Sequence, residues 1–370
     1  MHIVLDLLHV RTPVYTGIAS MAFNLVRGFC EYSNWHVSIL IWAGMAEFIA
    51  DAIGKDIPKI ILSDELQRVP RRKRGICPSC VKEKLAKHHA DVILTTCYTI
   101  ASYVYPRRYH QIGVVHDLQP FKNDFDEGHY WRALKWILQS VVYFHFVPHI
   151  VAISEFVERD IKRYSGRDTV TIYNSVCHET VSEQKIEEFE NIPYILDVNS
   201  FWKYKNTERL IQAFCTIKDQ IPHILYLKGV DDSKERYDEV MNFINEKGCK
   251  DRVVVDVCGR SKEEMTYLYR HASLFVSPSL KEGFGQTPIE ASIHRVPVVV
   301  SNIETLREVT DGLVDCFDPH SPKSISKAIL HALQHPRSSM DLEKIAAHYM
   351  EKYSPQRQIE AYMQLIESVV

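Results

Sequence analysis

Along the chain, short runs of β-branched and aliphatic residues alternate with stretches whose apolar positions recur every three or four residues. Runs of the first kind predict strands near Ile3–Leu8, Val37–Trp42, Asp91–Thr95, Ile112–Val115 and Ile150–Ile153, and again near Tyr194–Val198, His223–Lys228, Arg252–Val257, Leu274–Val276 and Val296–Ser301. Between them lie helical patterns; Ile18, Met21, Ala22, Leu25, Val26 and Phe29, for instance, share one face directly after Gly17. Alternation of this kind implies βαβ units and parallel sheets. The most apolar later segment, Trp136–Val147, is interrupted by Gln139, Ser140 and His145 and is shorter than the roughly 20 residues that cross a bilayer, so it predicts a buried helix.

The rhythm breaks once. Cys177 to Asn191 is polar and acidic, and strand–helix order restarts at Tyr194. This predicts an N-terminal domain over residues 1–176, a linker over 177–192, a second domain over 193–354, and a closing helix over 355–370 that packs back on the first domain. Two doubly wound α/β domains would set the carboxyl ends of both sheets around a central cleft, where such folds bind ligands.

Composition narrows the class. At 370 residues and 46% hydrophobic content the chain supports two full cores, and a net charge of −3 gives no electrostatic case for nucleic acid. Nine scattered cysteines, an odd number, argue against a disulfide framework and fit a reducing cytosol. The opening Met1-His2-Ile3-Val4-Leu5 has neither a basic leader nor a cleavage site, and reads as the first strand.

The richest candidate chemistry is the run from Glu282 to Glu290, two carboxylates eight positions apart around Gly283, Gly285 and a helix start. The glycines let backbone amides approach a ligand. With Thr287 as N-cap and Pro288 at the first helical position, the positive helix end suits a phosphate. The competing reading is structural: Thr287 and Glu290 alone make a capping box, which explains neither Glu282 nor the glycines. A second phosphate candidate is Lys205, just ahead of Asn206, a natural N-cap where the strand at Tyr194–Val198 gives way to a helix. In the first domain, His116-Asp117 ends a strand and reads either as a local cap or as a catalytic pair, and Gly17 opens the first helix.

Taken together, Glu282-Gly283-Phe284-Gly285 with Glu290, Pro297–Asn302, Lys205-Asn206, Ile153–Phe156, Ile172–Asn174 and His116-Asp117 resemble the GT-B glycosyltransferases of family 4, the retaining, nucleotide-sugar-dependent class. The resemblance implies two Rossmann-like domains, acceptor-binding then donor-binding, and a donor that is a nucleotide-diphosphate sugar. It implies that Glu282 meets hydroxyls of the transferred sugar, Glu290 the ribose, Lys205 the diphosphate, and the amides of Phe284 and Gly285 the sugar and phosphate. Gly283, Gln286 and Thr287 would complete that loop, and Gly259 and Arg260, in the turn after Cys258, would lie at the nucleobase. His116 would lie near the reacting sugar, Gly17 near the phosphate and acceptor, and Asp117 on the acceptor side. Where many relatives carry a Gly followed by an Arg or a small polar residue, this chain has Asn199-Ser200, and Tyr204 stands where some have a second basic residue, so Lys203 is the nearest replacement cation. No metal or other cofactor is expected, and no covalent glycosyl-enzyme.

The implied activity is transfer of a sugar to a saccharide or lipid-linked acceptor in polysaccharide, lipopolysaccharide or glycoconjugate synthesis. A GT-B epimerase or hydrolase, or a non-catalytic nucleotide-sugar-binding scaffold, are the alternatives. Asp124 and Asp126 fit a metal-binding D-x-D, and Cys77 and Cys80, with His88 and His89, could begin a zinc site, but nothing completes either set. The one strongly basic stretch, Arg68 to Lys87, reads as a solvated loop or as a contact with an anionic membrane surface. The expected location is cytoplasmic, peripheral at the inner face of the membrane.

Overall fold

Parallel pairing runs through both sheets of the computed structural model. The structure describes residues 1–14, 16–54, 57–62, 79–98, 105–106, 108–118, 130–176, 182–187, 192–230 and 233–370, with Leu62, Ser79, Cys80, Lys82 and Arg132 in their backbone only. The chain divides into two units, one of Met1–Cys177 with Tyr353–Val370, the other of His178–Lys352.

Unit 1 runs β1 (His2–Asp6), α1 (Gly17–Tyr32), β2 (His36–Trp42), α2 (Ala46–Ile53), β3 (Lys59–Leu62), α3 (Ser79–His88), β4 (Val92–Thr95), β5 (His110–Val115), α4 (Tyr130–Phe146), β6 (His149–Ala152), α5 (Glu155–Ser165) and β7 (Val170–Thr171). Its sheet order is β3-β2-β1-β4-β5-β6-β7. The chain winds outward from β1 to one edge, then crosses back to β4 and winds to the other. Right-handed crossovers therefore put α1 and α2 on one face of the sheet and α3, α4 and α5 on the opposite one. Covered on both faces, the central strands β4 and β5 are buried almost throughout rather than at alternate positions. The last helix of the chain, Pro355–Val369, lies along α1. A Cβ at Gly28 would stand 2.7 Å from Ile359, so this close approach depends on the missing side chain. Tyr362 packs on Phe29, and Gln358 accepts a hydrogen bond from Ser175 at 2.8 Å.

Unit 2 runs β8 (Tyr194–Val198), α6 (Thr207–Cys215), β9 (Ile224–Lys228), α7 (Lys234–Glu246), β10 (Val253–Asp256), α8 (Lys262–Arg270), β11 (Leu274–Ser277), α9 (Gln286–Ile293), β12 (Val298–Ser301), α10 (Glu304–Val309), β13 (Asp315–Phe317), α11 (Pro322–Gln334) and α12 (Ser339–Lys352); the helix at Pro355–Val369 is then α13. The order β10-β9-β8-β11-β12-β13 repeats the plan of unit 1. One core face gathers Leu210, Ile211, Phe214, Leu225, Val276 and Ile329. Cys215 and Cys249 are joined there, one cross-link where scattered cysteines predicted none.

Three short strands, β3, β7 and β13, escape the sequence pattern, being peripheral, two to four residues long, and in β13 half exposed. The expectation of a buried helix at Trp136–Val147 is also corrected. α4 begins earlier, at Tyr130, and buries only the face carrying Ala133, Ser140, Tyr143 and Phe144.

Candidate active site

In unit 2 the strand order reverses direction between β8 and β11, and at such a switch the two adjacent loops part and leave room for a ligand. The loop leaving β8 makes a single 3₁₀ turn, Lys203–Lys205, and ends on Asn206 in the left-handed conformation, φ 65°. Asn206 is the N-cap of α6, as expected, but its side chain is used elsewhere: its amide donates to the carbonyls of Pro278 and Pro319, both at 2.9 Å, tying this loop to the one that leaves β11. Leu280 N–H to the Tyr204 carbonyl, 2.7 Å, is a second tie. These ties hold Lys205 against Glu282 on the neighbouring loop, Nζ to Oε1 2.7 Å, with side chains 17% and 14% exposed. Burial draws the Lys205 pKa down, but Glu282, Tyr204 and Asp197 outweigh it, and the ammonium is held above its ordinary value.

Asp197, one residue from the end of β8, was not singled out by sequence. It is buried, accepts a hydrogen bond from Asn199, and is pushed up to about 7 by burial, with the Glu282 charge adding to the rise. A carboxylate on the loop after β11 and a carboxyl group on β8 thus act on one ammonium, an arrangement that holds a cation in place for an incoming anion.

The loop from Glu282 turns through Gly285 at φ 89°, where a Cβ would fall 2.4 Å from Leu306. The torsion and the space both require glycine. Gly285, not Thr287, is the N-cap of α9, and no side chain caps this start. The predicted Thr287–Glu290 capping box is therefore absent. Glu290 accepts from Tyr269 Oη and from Gln286 Nε2, both 2.8 Å, and burial raises its pKa. Gln286 and Thr287 occupy the first two positions of the helix, with Gly283 and Phe284 buried just ahead. Lys203 is exposed on the 3₁₀ turn.

The Cys258–Arg260 turn after β10 is held from two sides. Arg260 donates to Asp256 at 2.7 Å and to Glu264 at 3.1 Å, while Asp256 also accepts from Cys258 N–H. Lys228 Nζ reaches the carbonyls of Gly229 and Cys258, 2.7 and 2.8 Å. With the Arg260 guanidinium committed internally, the backbone of Cys258 and Gly259 is what this turn offers a ligand. A Cβ at Gly259 would meet nothing within 4 Å. Asp256 and Lys228 were invisible in sequence because their partners lie on another strand or turn.

In unit 1, Gly17 is the first residue of α1 and is exposed, with Thr16 as the capping side chain. His116 follows β5 and is buried; its Nε2 lies 2.9 Å from the Thr96 carbonyl. Burial brings its pKa down to about 4, so the ring is neutral at pH 7. Since only N–H can bond a carbonyl, Nε2 carries the proton and Nδ1 is left as an acceptor. Asp117 is half-buried beside it. His9, beyond β1, is a second imidazole that the sequence did not flag. It is held neutral by burial and by His116, its pKa near 3, and its buried Nε2 has no hydrogen-bond partner among the described residues. Asp6 ends β1, bonded to Tyr105 Oη at 2.7 Å, its pKa raised to about 6 by burial.

Asp124, Asp126, Cys77 and residues 68–78 lie outside the described residues, as does the Cys80 side chain. Among the described residues no group of three His, Cys, Asp or Glu side chains could hold a metal ion.

Two doubly wound parallel units, with cation, carboxylate and helix start gathered at the switch point of the second, are the architecture of the GT-B glycosyltransferases. Residues 179–349, somewhat under half of the chain, match the family "Glycosyl transferases group 1". The chain is 29% identical over 263 residues to the O-antigen chain mannosyltransferase RfbU of Salmonella typhimurium, covering 70% of this chain and 69% of that one. It is 32% identical over 143 residues to the O-antigen chain mannosyltransferase B of Escherichia coli, though over only 38% and 37% of the two chains. In fold it is similar to sucrose-phosphate synthase from Thermosynechococcus elongatus, TM-score 0.76 at 19% identity over 99% of both chains. It is also similar to Anabaena HepE in complex with UDP and glucose, TM-score 0.74 at 14% identity over both full chains.

Proposed function

We propose that the protein transfers a sugar, with retention of configuration, from a nucleotide-diphosphate sugar to a saccharide or lipid-linked acceptor in surface polysaccharide synthesis. The Lys205–Glu282 pair at the switch point of unit 2 carries this reading. Breaking the bond from the anomeric carbon to the diphosphate builds negative charge on the leaving group and positive charge on the ring. Lys205 and the amides entering α9 face the first charge; Glu282 orients the sugar through its hydroxyls. Glu290, fixed by Tyr269 and Gln286, meets the ribose, and the backbone at Gly259 meets the base. In unit 1 the neutral His116 keeps Nδ1 as an acceptor for a substrate hydroxyl. No side-chain nucleophile and no metal enters this scheme: a departing phosphate oxygen takes the acceptor proton.

The O-antigen mannosyltransferases among the relatives make a mannosyl group the first sugar to test and an O-antigen type of glycan the first setting. Contact with an anionic membrane through the basic segment from Arg68 to Lys87, on the cytoplasmic side, belongs to the same reading. A thermal-shift screen against GDP-, UDP-, dTDP- and ADP-sugars tests the donor site, because a ligand that binds only the folded chain raises its melting temperature. No shift with any of them at millimolar concentration would end the reading. Product analysis with the bound donor, with and without saccharide acceptors, separates transfer from hydrolysis.

A further inference from the structure

Helix α4 covers its strip of the unit 1 sheet with Ala133, Ser140, Tyr143 and Phe144 and turns the rest of its surface to solvent. That outer surface is apolar. Trp131 is 86% exposed, Leu138 59%, Val141 and Val142 51% each, and Leu134 44%. Spaced three and four apart, they form one continuous strip along the helix. Single apolar side chains in water are ordinary, but a contiguous strip marks a surface that something covers.

We propose that this strip docks on an anionic phospholipid bilayer, α4 lying flat in the headgroup region. The inference deepens the membrane contact proposed above and rests on that reading for its lipid chemistry, but it stands on different residues. Charge selects the occupant. From Tyr130 to Phe146 there is no Asp or Glu, while Arg132 and Lys135 are both basic. Helix α5, on the same face of the sheet, balances Arg159, Lys162 and Arg163 with Glu155, Glu158 and Asp160, so the cationic excess is that of α4 itself. A second copy of the chain meeting this strip would bring like charges together, whereas anionic headgroups complement them.

Length fixes the orientation. At 1.5 Å per residue α4 is about 25 Å long, and polar positions interrupt it; among the described residues no helix is long and apolar enough to cross a membrane. It therefore lies on the surface. Tyr130 and Trp131 at one end and Phe146 at the other are aromatic residues of the kind that settle at a lipid–water interface.

The full chain is tested by co-sedimentation with vesicles of phosphatidylcholine alone and of phosphatidylcholine with phosphatidylglycerol. The variant L134S/L138S/V141S keeps every charge and changes only exposed side chains. We expect it to melt at the wild-type temperature, to bind nucleoside diphosphates as wild type does, and to lose about tenfold or more in partitioning onto the anionic vesicles. Wild-type partitioning in this variant would overturn the proposal, as would a lipid-free dimer that the variant dissolves. R71E/R72E/R74E separates the two membrane contacts. Binding lost in this variant but kept in the serine variant rejects the α4 strip and leaves the basic segment standing; the reverse supports the strip alone. Failure of the wild-type chain to bind either vesicle rejects both.

Discussion

Replacing Lys205 with Ala should separate two functions that meet in one ion pair. In the structure its ammonium is committed to Glu282 at 2.7 Å, inside a loop arrangement that fixes both groups before any donor arrives. A preorganised charge of this kind, facing a leaving diphosphate, is worth about 3 kcal/mol of barrier, so turnover should fall about a hundredfold or more. The folding cost is smaller. With the two side chains 17% and 14% exposed, the pair lies between an exposed ion pair, worth under about 1 kcal/mol, and a buried one, whose breaking costs about 3–5. A loss of about 1–2 kcal/mol, a few degrees in melting temperature, is expected. Glu282→Gln is the informative partner. It removes the carboxylate that competes with the diphosphate for Lys205, so a nucleoside diphosphate should bind at least as tightly as to wild type, while sugar transfer still drops. Lys205→Ala should weaken both. Isothermal titration calorimetry with the nucleoside diphosphate, alongside steady-state kinetics, reads the difference. If both variants keep wild-type nucleotide affinity and turn over within about threefold of wild type, the pair is only a structural link between two loops and the site assignment fails.

Two further outcomes follow from the geometry. Gly285→Ala combines a left-handed torsion at φ 89° with a Cβ 2.4 Å from Leu306, and should cost about 2–4 kcal/mol in chemical denaturation; a change below about 0.5 kcal/mol would mean that the loop simply relaxes. His116 takes its proton near 6.5 in the unfolded chain but only near 4 when folded. Between those values the unfolded state binds more protons, so acidification favours unfolding, and the contribution is fully present above pH 6.5. The stability difference between wild type and His116→Gln should therefore shrink by about 3 kcal/mol from pH 7 to pH 4, a window in which the buried Asp6 acts with the opposite sign in both proteins and cancels. A difference that does not vary with pH would contradict the burial argument.

What the sequence reveals is set by how local each signal is. Runs such as Val298-Val299-Val300 can only be strands covered on both faces, and their spacing with helices forces the parallel order. Lys205 and Glu282 were legible because each stands in its own short motif at a strand-to-helix turn. Asp197, Asp256, Lys228 and His9 were not. Each gains its meaning from a partner on another strand or turn, as Lys228 does from the carbonyl of Cys258, thirty residues on. The Thr287–Glu290 spacing satisfied a capping rule that the fold set aside, because Gly285 turns the chain into α9 two residues sooner and Tyr269 claims Glu290. For α4, the apolar count suggested burial, but position around the helix rather than number decides it: Leu138 and Val141 point away from the sheet that Tyr143 and Phe144 cover.

Unit 1 is assembled from both ends of the chain, since α13 supplies the surface against which Gly28 and Phe29 of α1 rest. During synthesis, amino-terminal residues emerge first, yet this unit waits for a fifteen-residue helix that follows the whole of unit 2 before α1 finds its cover. Until that helix emerges the nascent molecule carries an uncovered stripe, while unit 2, uninterrupted in sequence, can finish ahead of it. A ribosome stalled anywhere before Pro355 would hold a folded second half beside an incomplete first, and a stop codon there would release a product prone to aggregate rather than a shortened enzyme.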